Sequence, residues 1–154
     1  MIKKSFKIFL NSNNTQSWTG LLYKANFTVD LTQIIQNNED LFKSYYMYCS
    51  FVSQADAINN NNIDPFNVYT LHIDMGKGLN IYQYNSIKTP SFILPVQEYN
   101  TDTRFMLQDF EQMPTLIPNI LNLNTIQIQV INTTTNAITT SNVDYVCVLT
   151  FVQC

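Results

Sequence analysis

The single histidine of the chain, His72, stands two residues before Asp74. In an extended segment that spacing puts both side chains on one face, where an imidazole and a carboxylate can exchange a proton or begin a metal site. A metal ordinarily takes three or four protein ligands, and neither a second His nor a Cys is placed to complete the set. The plainer reading is a histidine on the polar outer face of a strand. Glu98, Asp102, Asp109 and Glu111 form the densest acidic group and carry the oxygen chemistry of a Ca²⁺ site, but they lack EF-hand spacing. A solvated acidic loop accounts for them. Paired carboxylates of a glycosidase are open by residue type, yet nothing in the sequence fixes the separation that chemistry depends on. Ser/His/Asp catalysis would have to use the same His72 without a G-x-S-x-G elbow. The Gly76-Lys77-Gly78 turn lacks the rest of a phosphate loop, and a chain with three glycines has little material for a backbone cradle. Tyr45, Tyr46 and Tyr48 can stack sugars or bases, although tyrosines on a strand more commonly pack across a sheet. The chain therefore reads as a non-enzyme, with no catalytic residue, cofactor, metal or small-molecule substrate expected.

The elements that hold these residues are strands. Asp144–Gln153, DYVCVLTFVQ, is almost without polar positions. Tyr145, Cys147, Leu149 and Phe151 point one way, Val146, Val148 and Val152 the other, and the run is far too short to cross a membrane as a helix. It predicts a strand in the middle of a sheet, buried on both faces, with a second sheet over one and a loop, helix or neighbouring subunit over the other. Ser5–Leu10 places Phe6, Ile8 and Leu10 on one side. Ala25–Leu31 turns Phe27, Val29 and Leu31 inward. Thr32–Asp40 fits one or two helical turns. Lys43–Gln54 sets Tyr45, Met47, Cys49 and Phe51 against Tyr46, Tyr48 and Val52. Asn67–Met75 alternates again and predicts a hairpin through Gly76 and Gly78 to Leu79–Tyr84. Ser91–Gln97 and Thr103–Gln108 are weaker strands, with Pro95 suited to an edge; Phe105–Met113 is open to a short helix instead. Pro114 and Pro118 enclose a loop, and Leu123–Ile131 turns Ile126, Ile128 and Val130 inward. The fold expected is all-β: an antiparallel two-sheet β-sandwich of the single jelly-roll kind with one or two short helices, one domain over residues 1–154.

Composition bears on partners. Charged residues are only 12% of the 154 and aromatics 13%, so Asn, Gln, Ser and Thr must carry the surface. Such a surface is weakly solvated and lacks like-charge repulsion, which suits burial against other protein. A net charge of −3 with eight thinly spread Lys and Arg argues against nucleic acid as a partner; the basic cluster Lys3, Lys4 and Lys7 reads as a solubilising end. Cys49 and Cys147 read as buried thiols, a bond between neighbouring strands being the alternative, and Cys154 reads as unbonded. The N-terminal apolar run is too short and interrupted for a secretory signal, so a reducing compartment is expected. The N-x-T sequons at Asn13, Asn26 and Asn132 are about as many as chance yields in a chain so rich in Asn and Thr. Trp18, alone in a polar loop, is either folded onto the core or presented to a partner. With Tyr46, Tyr48, Asn60 and Asn61 it makes up the candidate protein interface.

Small size, an amide-rich surface, the Asn59–Asn62 loop and a terminal strand apolar on both faces together resemble the small single-jelly-roll penton and minor capsid proteins of large double-stranded DNA viruses. That resemblance implies a non-catalytic virion subunit, assembled in the host cytoplasm, whose partners are other capsid proteins and further copies of itself, five in a penton. Its contacts would run through loops and edge strands. The scarcity of Gly departs from the pattern, with Asn expected to take the left-handed corners. The competing class is a lectin-like or cytokine-like binding module that recognises glycan or protein through its loops.

Overall fold

A strand persists when its apolar side chains alternate toward a core and its backbone groups find partners on the flanking strands. The computed structural model describes residues 3–14, 17–18, 24–57, 63–75, 82–83, 86–87, 91–100, 102–108, 110–138 and 144–154. In chain order the first strands are β1 (Ser5–Asn11), β2 (Ser17–Trp18), β3 (Lys24–Thr28), β4 (Tyr45–Ser53), β5 (Asp56–Ala57), β6 (Tyr69–Asp74), β7 (Tyr82–Gln83) and β8 (Ser86–Ile87). Then come β9 (Ser91–Leu94), β10 (Val96–Tyr99), β11 (Asp102–Leu107), β12 (Thr115–Ile117), β13 (Thr125–Asn132), β14 (Ala137–Ile138) and β15 (Tyr145–Gln153).

One sheet runs β1-β15-β4-β11-β10, with β12 beside β4 and β5 beside β11. The other runs β2-β3-β13-β6-β9, with β14 on β13, while β7 and β8 pair with each other. All of these ladders are antiparallel. Across eight of the strands β1 pairs with β15, β3 with β13, β4 with β11 and β6 with β9, which are the contacts of one long hairpin. The further pairs β15 with β4 and β13 with β6 fold that hairpin over on itself. The result is an all-β antiparallel sandwich of two packed sheets.

The core lies between the sheets. Tyr45, Met47, Cys49 and Phe51 of β4 and Tyr145, Cys147, Leu149 and Phe151 of β15 are buried from one side. Tyr69, Leu71 and Ile73 of β6 and Ile126, Ile128 and Val130 of β13 are buried from the other. A chain of rings joins the layers: Tyr145 stacks on Phe51 at 4.9 Å, Phe51 meets Phe105 edge-on at 6.3 Å, and Phe105 meets Tyr69 of the opposite sheet at 4.9 Å. Such pairs add about 0.5–1.5 kcal/mol each beyond the area they bury.

Connections are tied by short-range chemistry. The Asp30 carboxylate accepts from the Thr32 hydroxyl and backbone N–H at the 3-10 turn Leu31–Gln33, which holds its carboxyl below the usual value. Asn37 caps the 3-10 turn Asn38–Phe42 in the same way, through the Glu39 N–H at 3.1 Å. These turns occupy the helical stretch expected at Thr32–Asp40. Lys4 reaches Asp40 at 2.8 Å, so the basic segment is fastened to this turn from its second described residue onward. Ser12 donates to Asp144 and accepts from the Tyr145 N–H, both at 3.0 Å, which joins the end of β1 to the start of β15. Pro95 stands where the chain passes from β9, at the edge of one sheet, to β10, at the edge of the other. Asn100 and Asn136 adopt positive φ of 56° and 55°, so Asn does supply left-handed corners that Gly usually supplies. Phe110 does so at 68°, uncommon for a bulky side chain, with its ring 4.4 Å from that of Tyr48. Cys49 and Cys147 are buried thiols with sulfurs 3.7 Å apart, and Cys154 is exposed.

Of the hairpin expected from Asn67–Met75 through Gly76 and Gly78 to Leu79–Tyr84, the turn, residues 79–81 and residue 84 lie outside the described residues; Tyr69–His72 is flanked by β13 and β9, and Tyr82–Gln83 pairs with Ser86–Ile87. Three expectations are corrected. Phe105–Met113 is strand to Leu107 and then a turn, since pairing with β4 and β10 satisfies the backbone that a helix would otherwise use. The segment between Pro114 and Pro118 holds a strand, Thr115–Ile117, paired with Tyr45–Met47. The terminal strand is mid-sheet as expected, but its second face is not buried: Val148 and Val152 are half-covered and Val146 is exposed.

Candidate interaction surface

The two outer faces of the sandwich differ in chemistry. On the β1-β15-β4 sheet the antiparallel register aligns the outward residues in rows: Ser5, Val152, Tyr46 and Leu116; Lys7, Thr150 and Tyr48; Phe9, Val148 and Ser50; Asn11, Val146, Val52 and Met106. Exposure is 69% for Phe9, 50% for Leu116 and 40% each for Tyr46, Val52 and Val146. Thr150 is buried, flanked in register by the long side chains of Lys7 and Tyr48. The Phe110 ring leans on Tyr48, so the turn at Phe110 extends the same surface. A hollow of about 320 Å³, bordered by Asn11, Val52, Gln54, Asp144 and Val146, closes one end of it. Apolar side chains left in water on neighbouring strands mark a contact surface far more strongly than single exposed residues do.

The outer face of the β3-β13-β6 sheet is more polar, built mainly from amides and hydroxyls, with Ile131 and the exposed Ile93 on either side of Thr70 in register. Gln127 donates to Asn26 at 2.9 Å and Gln129 to Gln127 at 3.3 Å. His72 lies opposite Gln129 and Ser91, half-buried, with Nε2 3.0 Å from the Thr70 hydroxyl. Asp74 is exposed opposite Gln127. Burial disfavours the imidazolium, so the His72 pKa lies below its ordinary value of 6.5. No group of three or more His, Cys, Asp or Glu able to hold a metal occurs among the described residues. Of the acidic group, Glu98 stands opposite Thr103 and Asp102 opposite Tyr99 in the β10–β11 register, Glu111 accepts from the Gln108 N–H at 3.0 Å, and Asp109 lies outside the described residues. A hollow of about 260 Å³ is lined by Ala55, Gln97, Glu98, Asp102, Arg104 and the buried Thr103.

No family model matches this chain, and no curated protein matches it in sequence. Its surface is therefore read from geometry. Tyr46 and Tyr48, singled out in sequence, fall together on the apolar face. Trp18 sits in β2 at the edge of the opposite sheet, its side chain outside the described residues, as are Asn60 and Asn61. Sequence reasoning missed Phe9, Leu116 and Phe110. The signal for Phe9 was present, since SFKIFL puts an apolar residue on the outward side of an alternating strand; that it adjoins Val148 follows only from the register. No described helix is long and apolar enough to cross a membrane.

His72 gives a pH test of this assignment. A basic group whose folded pKa is depressed leaves stability intact above its unfolded value and loses it as the pH falls through the folded one. Stability should therefore decline below about pH 6.5, and His72→Gln should flatten that decline. Urea melts of both proteins at pH 7 and pH 5 measure it; a parallel decline in the variant rules the histidine out as its source.

Proposed function

We propose that this protein is a non-catalytic structural subunit of a viral capsid, a penton or minor capsid protein, with a single jelly-roll fold and a place in the virion among other capsid proteins. The observation that carries the reading is the exposed apolar outer face of the β1-β15-β4 sheet. A face of this kind is stable in solution only at a cost in solubility, and cover by another protein removes that cost. The pairing order supports the jelly-roll reading. Counted in chain order over eight strands, one sheet holds the first, eighth, third and sixth, and the other the second, seventh, fourth and fifth, which is the arrangement of two interlocked Greek keys. The low charge supports assembly as well, because amide-rich rims meet without desolvating ions.

Native mass spectrometry and light scattering on the purified chain, alone and with candidate capsid partners, test this. A defined oligomer, or a complex with a capsid protein, is the expected result. A chain that remains monomeric, binds no capsid protein and recognises ligands on a glycan array would overturn it in favour of a lectin-like module.

A further inference from the structure

We propose that the outer face of β1, β15 and β4 is the contact between two copies of this chain, packed face to face about a two-fold axis. The inference rests on the assembly reading and names the partner of its surface. Shape comes first. A flat, twisted sheet face is best covered by another sheet lying about 10 Å above it, with the strand directions within about 30°. This chain has two outer sheet faces to offer. The one carrying Asn26, Gln127, Gln129 and His72 would bring hydrogen-bonding amides and an imidazole against Phe9 and Val146, which costs free energy without partners for them. The apolar face against its own copy brings like against like, and an identical patch on both partners makes the contact isologous and closed at two.

Charge agrees with this. Among the outward residues of the three strands Lys7 is the one cation and no Asp or Glu is present. Lys7 is on β1, at the margin of the sheet, where a long stem can carry its ammonium outward to solvent while its methylenes stay in the contact. Area sets the strength. Seven, nine and nine residues of β1, β15 and β4, at about 3.3 Å along and about 4.8 Å across the strands, give a plane of roughly 400 Å² before side-chain relief is counted. That is about half of the roughly 800 Å² of accessible surface that each partner contributes to a standard interface, so the pair is weak and reversible. A contact that closes at two copies fits a bridging minor capsid subunit more simply than a five-membered ring.

Sedimentation velocity over a concentration series, on the full chain with Cys154→Ser to remove the exposed thiol, tests the proposal. The parent should sediment as a reversible dimer. Phe9→Ser combined with Val146→Thr should weaken it on the order of 100-fold, from the apolar surface lost on both copies. Gln129→Ser on the opposite sheet should leave the dimer intact. Leu116→Asp, at the exposed tip of the face, should act like the double variant and provides the readout if that variant does not fold. Oligomers that persist undiminished in the folded face variants would overturn the two-fold contact and leave the assembly reading standing. A parent that stays monomeric to about 1 mM, far above the Kd of a specific pair, would overturn the contact as well, and binding to a capsid partner would then decide the assembly reading separately.

Discussion

Leu149→Asp should yield no folded protein, whereas Val148→Asp, one residue earlier on the same strand, should fold and lose self-association. Leu149 is fully buried between Ile8 and Cys49 in the register and points into the space between the sheets. A carboxylate there has no cation within the core to pair with and costs several kcal/mol. That is a large share of the roughly 5–15 kcal/mol by which a domain is stable. Val148 lies between Phe9 and Ser50 on the outer face, half-covered. An aspartate at that position keeps its hydration and costs on the order of 1 kcal/mol in strand preference, but it places a charge in the middle of a contact that must dry. Circular dichroism and sedimentation of the two variants decide the matter. A folded Leu149→Asp, or a Val148→Asp that associates normally, contradicts the assignment of the faces.

Phe51→Ala should lower stability by about 3–5 kcal/mol, which for a chain of this length corresponds to a fall in Tm on the order of 10 °C. The ring is fully buried, stacked on Tyr145 and set edge-on to Phe105, which in turn touches Tyr69 of the other sheet. Removing it opens a cavity in the middle of a ring-to-ring path between the layers, and packed rings on either side relax into it poorly. Phe9→Ala deletes the same atoms from an exposed position and should change Tm by no more than a degree or two. Thermal melts at matched concentration, low enough to keep association out of the comparison, measure both. Equal shifts for the two variants would contradict the placement of Phe51 inside the sandwich and Phe9 outside it.

Much of the sandwich was legible because alternation is a local signal. Tyr69, Leu71 and Ile73 against Thr70, His72 and Asp74, and Ile126, Ile128 and Val130 against Gln127 and Gln129, mark inner and outer faces without any knowledge of neighbours. Pairing was not legible in the same way. The Gly76–Gly78 turn suggested a hairpin from chemistry a few residues wide, but local chemistry could not announce the pairing of β6 with Thr125–Asn132 and Ser91–Leu94. The three-residue strand at Thr115–Ile117 has too few positions to show a period at all. The candidate surface fell between these cases. Valines at alternate positions of β15 announced a second apolar face but could not say whether the chain covers it itself, because that depends on what lies over Val146 and Val148 in three dimensions. His72 shows the same limit from the polar side. Its outward direction followed from spacing, while its partial burial comes from Gln129 and Ser91 on the strands beside it.

The position of β15 between β1 and β4 has a consequence for biosynthesis. Both flanking strands leave the ribosome long before the residues that join them, and until Gln153 has been made each offers the cell a bare row of amide groups beside a greasy surface. A nascent chain in that state is open to strand exchange with its siblings on the same polysome. Maturation of this sheet therefore waits on Tyr145–Gln153, made long after its neighbours, and a holdase that shields Tyr45–Ser53 during elongation would raise the yield of native molecules.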